Sequence, residues 1–179
     1  MKLLKVLFLI TAILFSFCGS SKIAKGYVDS TPDEISQLIT KKYSASVHAV
    51  GTAGAPDEMI AINKATLQAR AEVARQFKVE VEVLQKDYQE VMMDNLSGEY
   101  NEVMEAFSAL ELNGSKIAKA MVRKDRADYF SAKVLVVVSA GQLKDIIDQK
   151  MRDYTSYKAT KAYKELEKRV EKERSLQKE

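Results

Sequence analysis

Tyr129-Phe130-Ser131-Ala132-Lys133-Val134-Leu135-Val136-Val137-Val138-Ser139 is the stretch on which the reading of the fold turns. Four of the five residues from Val134 to Val138 are branched at Cβ, which stiffens χ1 and suits a pleated, extended chain, so this run predicts a strand. Upstream, Asn113-Gly114 precedes a second strand pattern over Ser115 to Val122. Lys124-Asp125-Arg126-Ala127-Asp128 then separates the two as a polar connection of about five residues, the pattern of an antiparallel hairpin. That hairpin is expected at the centre of the sheet. Downstream, Ser139 with Gln142 makes a capping box for a helix whose apolar stripe is Leu143, Ile147, Met151 and Tyr154.

Working back along the chain, Ile62, Ala65, Ala69, Val73 and Phe77 recur every three or four residues and place a helix over Asp57 to Phe77. Its alanines let the axis approach a neighbouring surface closely. Asp57 and Glu58 at the start, and Arg70 and Arg75 towards the end, suit the helix dipole. Phe77, Val79, Val81 and Val83 then alternate with Lys78, Glu80 and Glu82, which predicts a half-buried strand; continued helix through Met93 is the alternative. Asp94 to Gly98 is a polar break before a second amphipathic helix, Glu99 to Leu110, with Tyr100, Val103, Phe107 and Leu110 on one side. Ser44 to Thr52 reads as a short strand stopped by a turn at Gly51, Gly54 and Pro56, and Thr31-Pro32-Asp33-Glu34 as a capped start of a short helix reaching Tyr43. The expected class is α+β in two layers, an antiparallel sheet of three to four strands with helices on one face, plus a long charged C-terminal helix. In that last helix Tyr163, Leu166 and Val170 are the only apolar residues at helical spacing, so its last two turns are expected to project or to pair with a partner, or else to fray in solvent.

At the other end, Met1-Lys2-Leu3-Leu4-Lys5 leads into an apolar run from Val6 to Phe17. This is the n-region and h-region of a signal peptide, and at about a dozen residues it is shorter than the roughly twenty a membrane-spanning helix needs. Cys18, the single cysteine, closes the run, and Gly19-Ser20-Ser21 follows as a flexible spacer. The position reads as lipidation of Cys18. Phe15 and Ser16 fit a lipoprotein processing site, whereas Phe17 stands where a small residue is usual; conventional cleavage, releasing a free protein, is the alternative. Gly19 after the cysteine resembles the outer-membrane sorting pattern. The organisation expected is a signal peptide over 1–17, lipidated Cys18 with a tether over 18–30, an α+β domain over 31–154 and a charged helical extension over 155–179.

Composition narrows the functions. The net charge of +3 falls to +1 once Lys2 and Lys5 leave with the leader, so nothing pulls the mature chain in bulk to nucleic acid. His48 is the only histidine and lies in a short strand, so a Ser-His-Asp site would have to be assembled without a recognisable motif, and a divergent hydrolase centred on it is the remote alternative. With His48 and Cys18 as the only such ligands, a zinc site is not expected, and Gly51-Thr52-Ala53-Gly54 has the wrong spacing for a dinucleotide fingerprint. The expectation is no catalytic, cofactor-binding or metal-binding residues, no small-molecule substrate, and a protein that is not an enzyme.

Val50-Gly51-Thr52-Ala53, the helix end Ala69-Arg70-Ala71-Glu72-Val73-Ala74-Arg75-Gln76-Phe77 and Val79-Glu80-Val81 resemble the Lpp-twenty family of bacterial membrane-associated lipoproteins. Leu112-Asn113-Gly114-Ser115-Lys116-Ile117 and Tyr129-Phe130-Ser131-Ala132-Lys133-Val134 are similar to that family's closing hairpin, so the likeness spans roughly Ser44 to Ser139. The resemblance implies an outer-membrane-associated lipoprotein with a compact α+β domain and no catalytic residues; relatives include flagellar assembly lipoproteins that oligomerise. The functional expectation is therefore a cell-envelope lipoprotein with a structural or assembly role, its domain periplasmic, whose sheet edge or C-terminal helix binds copies of itself or another envelope protein. A periplasmic regulatory module for a cell-wall or secretion partner is the alternative.

Overall fold

The computed structural model describes residues 33–92, 98–109, 112–126 and 128–178. The expected leader, Cys18 and the tether lie outside them. In chain order the elements are helix α1 (Glu34–Leu38), running on into a wider π-type turn over Ile39–Tyr43, strand β1 (Val47–Ala55), helix α2 (Glu58–Met92), helix α3 (Gly98–Ser108), strands β2 (Lys116–Arg126) and β3 (Tyr129–Val138), helix α4 (Ala140–Lys150), a 3-10 turn (Ser156–Ala159) and helix α5 (Lys161–Leu176). The sheet is antiparallel with order β1-β3-β2. The class is thus α+β with a three-strand antiparallel sheet and a C-terminal helix, as the sequence predicts.

Strand β3 alone is central; β2, the other half of the hairpin, is an edge. The apolar run Val134–Val138 is continuous because both faces of β3 are covered. Val134, Val136 and Val138 join the main core beneath α2, whereas Leu135 and Val137 pack with Ile35, Leu38, Ile39 and Tyr43 on the opposite face. The short N-terminal helix therefore caps part of the sheet's second face, which the expected one-sided arrangement did not include. It is capped by Asp33, whose Oδ1 accepts from the Ser36 amide at 2.7 Å; Thr31, the cap expected from sequence, lies outside the described residues. The hairpin is also tighter than expected, since β2 continues to Arg126 and pairs it with Tyr129.

Two boundaries differ more. β1 does not stop at Gly51 but runs to Ala55, because Gly51 to Ala55 pair with Val134 to Phe130 of β3. The turn falls at Pro56-Asp57, where Asp57 Oδ1 accepts from the Ile60 amide at 2.9 Å and starts α2. The strand expected over Phe77–Val83 is absent: α2 is one helix of 35 residues. A strand would bury Phe77, Val79, Val81 and Val83 together. Instead Phe77, Val81, Leu84 and Tyr88 are buried at spacings of three and four, while Val79 and Val83 remain 46% and 48% exposed.

The reason lies beyond the local pattern. At about 1.5 Å per residue α2 is about 50 Å long, against about 30 Å for β1, so its second half overhangs the sheet. Its buried positions Ala61, Ala65, Ala69, Val73, Phe77 and Val81 are four apart, so the stripe turns about 40° per step around the axis. The first half faces β1 and β3, and the second half meets other helices. Tyr88 stacks on Tyr100 at 6.0 Å and meets Phe107 edge-on at 6.1 Å; Phe107 meets Tyr157, which meets Tyr163 at 5.0 Å. This aromatic series supplies the apolar environment that a local reading of 77–93 lacked.

Helix α5 does not project. Tyr163, Leu166 and Val170 are buried in the main core, so residues 155–178, read from sequence as an extension, pack with the domain. Arg169 fastens the helix by donating to the Ala45 carbonyl at 3.1 Å and to Glu80 of α2 at 2.7 Å. Arg169→Ala is expected to cost about 1 kcal/mol, the size of a partly exposed ion pair with one further hydrogen bond, read as a lower denaturation midpoint at unchanged slope.

Candidate interaction surface

The described residues leave two strand edges, and they differ in chemistry. β2 carries Lys116, Lys119, Arg123, Lys124 and Arg126, and its register with β3 is irregular between Ile117 and Lys119 and between Lys124 and Arg126. Charge and bulges are the usual devices that discourage pairing at an edge. Several of these charges are also engaged: Lys119 pairs with Glu34 at 2.5 Å, Arg123 with Asp125 at 2.7 Å, and Lys124 lies 5.5 Å over the Phe130 ring. On the neighbouring strand Lys133 holds Asp33.

β1 has none of these devices. Val47-His48-Ala49-Val50-Gly51-Thr52-Ala53-Gly54-Ala55 contains no Lys, Arg, Asp, Glu or Pro, and its register with β3 is regular over all nine residues. The Thr52 amide donates to Gln68 Oε1 of α2 at 3.0 Å, so it points away from β3. Because alternate residues of an edge strand turn their main-chain groups outward, His48, Val50 and Gly54 share that direction. The strand is pressed against α2: a Cβ at Gly51 would lie 1.9 Å from the Ala65 carbonyl oxygen and 2.8 Å from the Ala69 nitrogen.

The C-terminal helix, the other surface expected to bind a partner, is occupied by its own domain. The Asp148 carboxylate of α4 accepts from Tyr157 at 2.7 Å, Tyr163 at 2.6 Å and Lys144 at 2.5 Å. Burial pushes this carboxyl up, but the hydrogen bonds from Lys144, Tyr163 and Tyr157 outweigh it and hold it below its ordinary value. Burial and the Asp148 hydrogen bond push both tyrosines up, and the Asp148 bond raises Lys144. Further along α5, the buried Glu173 accepts from Ser46 Oγ at 2.6 Å and from the Gly141 amide at 3.3 Å, placing a carboxylate at the N-terminal end of α4. The Glu173 contact joins residues 127 apart and is not visible as a motif, whereas the members of the Asp148 cluster all lie within α4, the turn after it and the start of α5.

Of the residues singled out in the sequence, Cys18 lies outside the described residues. His48 is part-buried on β1, and its Nδ1 lies 2.9 Å from the Ser46 carbonyl; a carbonyl can only accept, so Nδ1 donates. Among the described residues no His, Cys, Asp and Glu side chains converge as a metal site, and no helix is long and apolar enough to cross a membrane. The Ser139 capping box forms as expected, with the Gln142 amide 3.0 Å from Ser139 Oγ and Gln142 Oε1 3.2 Å from the Ser139 amide.

These features define a small α+β domain in which a long helix crosses a three-strand sheet with one guarded and one unguarded edge. No family model, curated protein or solved structure matches the chain.

Proposed function

We propose that this chain is a secreted bacterial envelope lipoprotein, anchored through an acyl group on Cys18 at the outer membrane, with a structural or assembly role. Its domain binds copies of itself or another envelope component through a sheet edge. The observation that carries the assembly role is β1, nine residues of uncharged, regular edge strand whose outward main-chain groups include a Thr52 amide held by a side chain rather than by a strand; strand addition satisfies outward groups of this kind. Burial of the apolar stripe of α5 within its own domain favours the sheet edge over that helix. The leader pattern and Cys18 support the anchor, as do the residues that resemble the Lpp-twenty lipoproteins.

Two measurements test the reading. Intact mass of the full chain recovered from membranes is expected to show cleavage before Cys18 and added acyl groups; cleavage without acyl mass, or an uncleaved leader, removes the anchor. Amine-reactive crosslinking in intact cells is expected to give species larger than the monomer. A chain that stays monomeric there has no assembly role of this kind.

A further inference from the structure

Building on that reading, we infer that the occupant of the β1 edge is a second copy of this chain, paired antiparallel about a two-fold axis at Gly51. The outward direction of the Thr52 main chain decides the register. Hydrogen-bonded pairs in an antiparallel ladder form between residues that both face the partner, and an axis at Gly51 pairs Val50 with Thr52 and His48 with Gly54 of the other copy, all four outward-facing by alternation. The residue sizes match across this axis: Val47 meets Ala55, Ala49 meets Ala53, and Gly51 meets itself. No charge is opposed to its like. The same operation at β2 about Met121 sets Lys119 opposite Arg123, a like-charge pair on the edge that is already bulged.

Helix α2 extends the match. Gly51 lies under Ala65 and Ala69, so an axis at Gly51 passes close to the middle of that part of α2 and brings two α2 helices side by side and antiparallel. Neighbours related about Gln68 place Lys64 opposite Glu72 of the second copy, the carboxylate that also holds Arg75 of its own helix, so that opposite charges meet on both sides of the axis. Gln68 sits at the centre and holds the Thr52 amide in the single chain. Pairing requires it to release that amide to the Val50 carbonyl of the other copy, so Gln68 acts as a plug on the edge.

The test uses full-length chains in cells. Copies carrying Val50→Cys and Thr52→Cys, with different tags, are co-expressed and oxidised; residues facing each other across a strand pair lie within disulfide reach. A mixed disulfide is expected from this pair and not from Lys119→Cys with Arg123→Cys on β2, with the parent chain as the blank for Cys18. Adding Gln68→Ala to both copies removes the plug and is expected to raise the mixed disulfide about fivefold for each hydrogen bond of about 1 kcal/mol that no longer has to be released. A mixed disulfide from the β2 pair alone overturns the inference. So does the lack of one from the β1 pair while amine crosslinking still gives larger species, an outcome that leaves the assembly role standing. No larger species by either route removes both.

Discussion

Gly51→Ala is expected to cost about 3 kcal/mol or more, above the ordinary range for one added methyl group. The added Cβ would meet backbone, the Ala65 carbonyl at 1.9 Å and the Ala69 nitrogen at 2.8 Å, so no side chain can rotate out of the way. Helix α2 would have to lift from β1, separating Ala61, Ala65 and Ala69 from the strand under which they are fully buried. Those alanines contribute little area each and depend on close approach for their contacts. Chemical denaturation of the variant should show the loss as a lower midpoint; a variant within about 1 kcal/mol of the parent would mean that the close helix-strand approach is not a stabilising feature.

Asp148→Asn is expected to cost about 2 to 3 kcal/mol, since it removes the charge that three donors share, with the upper end reduced by the solvent that still reaches the carboxylate. The amide can still accept one hydrogen bond, but Tyr157, Tyr163 and Lys144 no longer converge on an anion. The pH dependence carries the signature. The Asp148 carboxyl is depressed on folding, so its contribution is fully present above the ordinary unfolded value of about 4 and is lost as pH falls through the lower folded value. Tyr157, Tyr163 and Lys144 are raised, so their contribution is present below their unfolded values of about 10 and is lost as pH rises beyond that. Stability of the parent measured from pH 2 to 11 should therefore fall at both ends, and Asp148→Asn should flatten the acid limb. An acid limb unchanged in the variant would place the acid sensitivity in other carboxylates.

The interaction surface was only half legible in the sequence. That a sheet edge is available follows from few strands and no closed barrel, but which edge is guarded depends on strand order, and the order β1-β3-β2 makes β1 an edge although three elements separate it from its neighbour β3. The Gly51-Thr52-Ala53-Gly54 segment reads locally as a turn because glycine is a frequent breaker. It is strand because β3 pairs with it and because only a residue without Cβ fits beneath α2 at Gly51. Lys144 and Asp148 are spaced as a helical i,i+4 pair, but the convergence of Tyr157 and Tyr163 on Asp148, the plug formed by Gln68 and the Ser46–Glu173 contact depend on how separate elements pack.

The sequence by itself determined the elements whose signals are local and redundant: β3 from its branched run, α4 from the Ser139 and Gln142 capping box, α3 from Val103 and Phe107, and the first half of α2 from its alanine stripe. It also determined that the chain is α+β. Tertiary structure alone decided that 77–92 continues as helix and that the charged C-terminal helix folds back. Alternation of Phe77, Val79, Val81 and Val83 fits a strand locally, and the helix prevailed because Phe77, Val81 and Tyr88 share a core with Phe107, Tyr157 and Tyr163 from elements made later in the chain. Likewise, three apolar residues in α5 are too few to show where they are buried. Their burial depends on a surface that exists only once α2 overhangs the sheet.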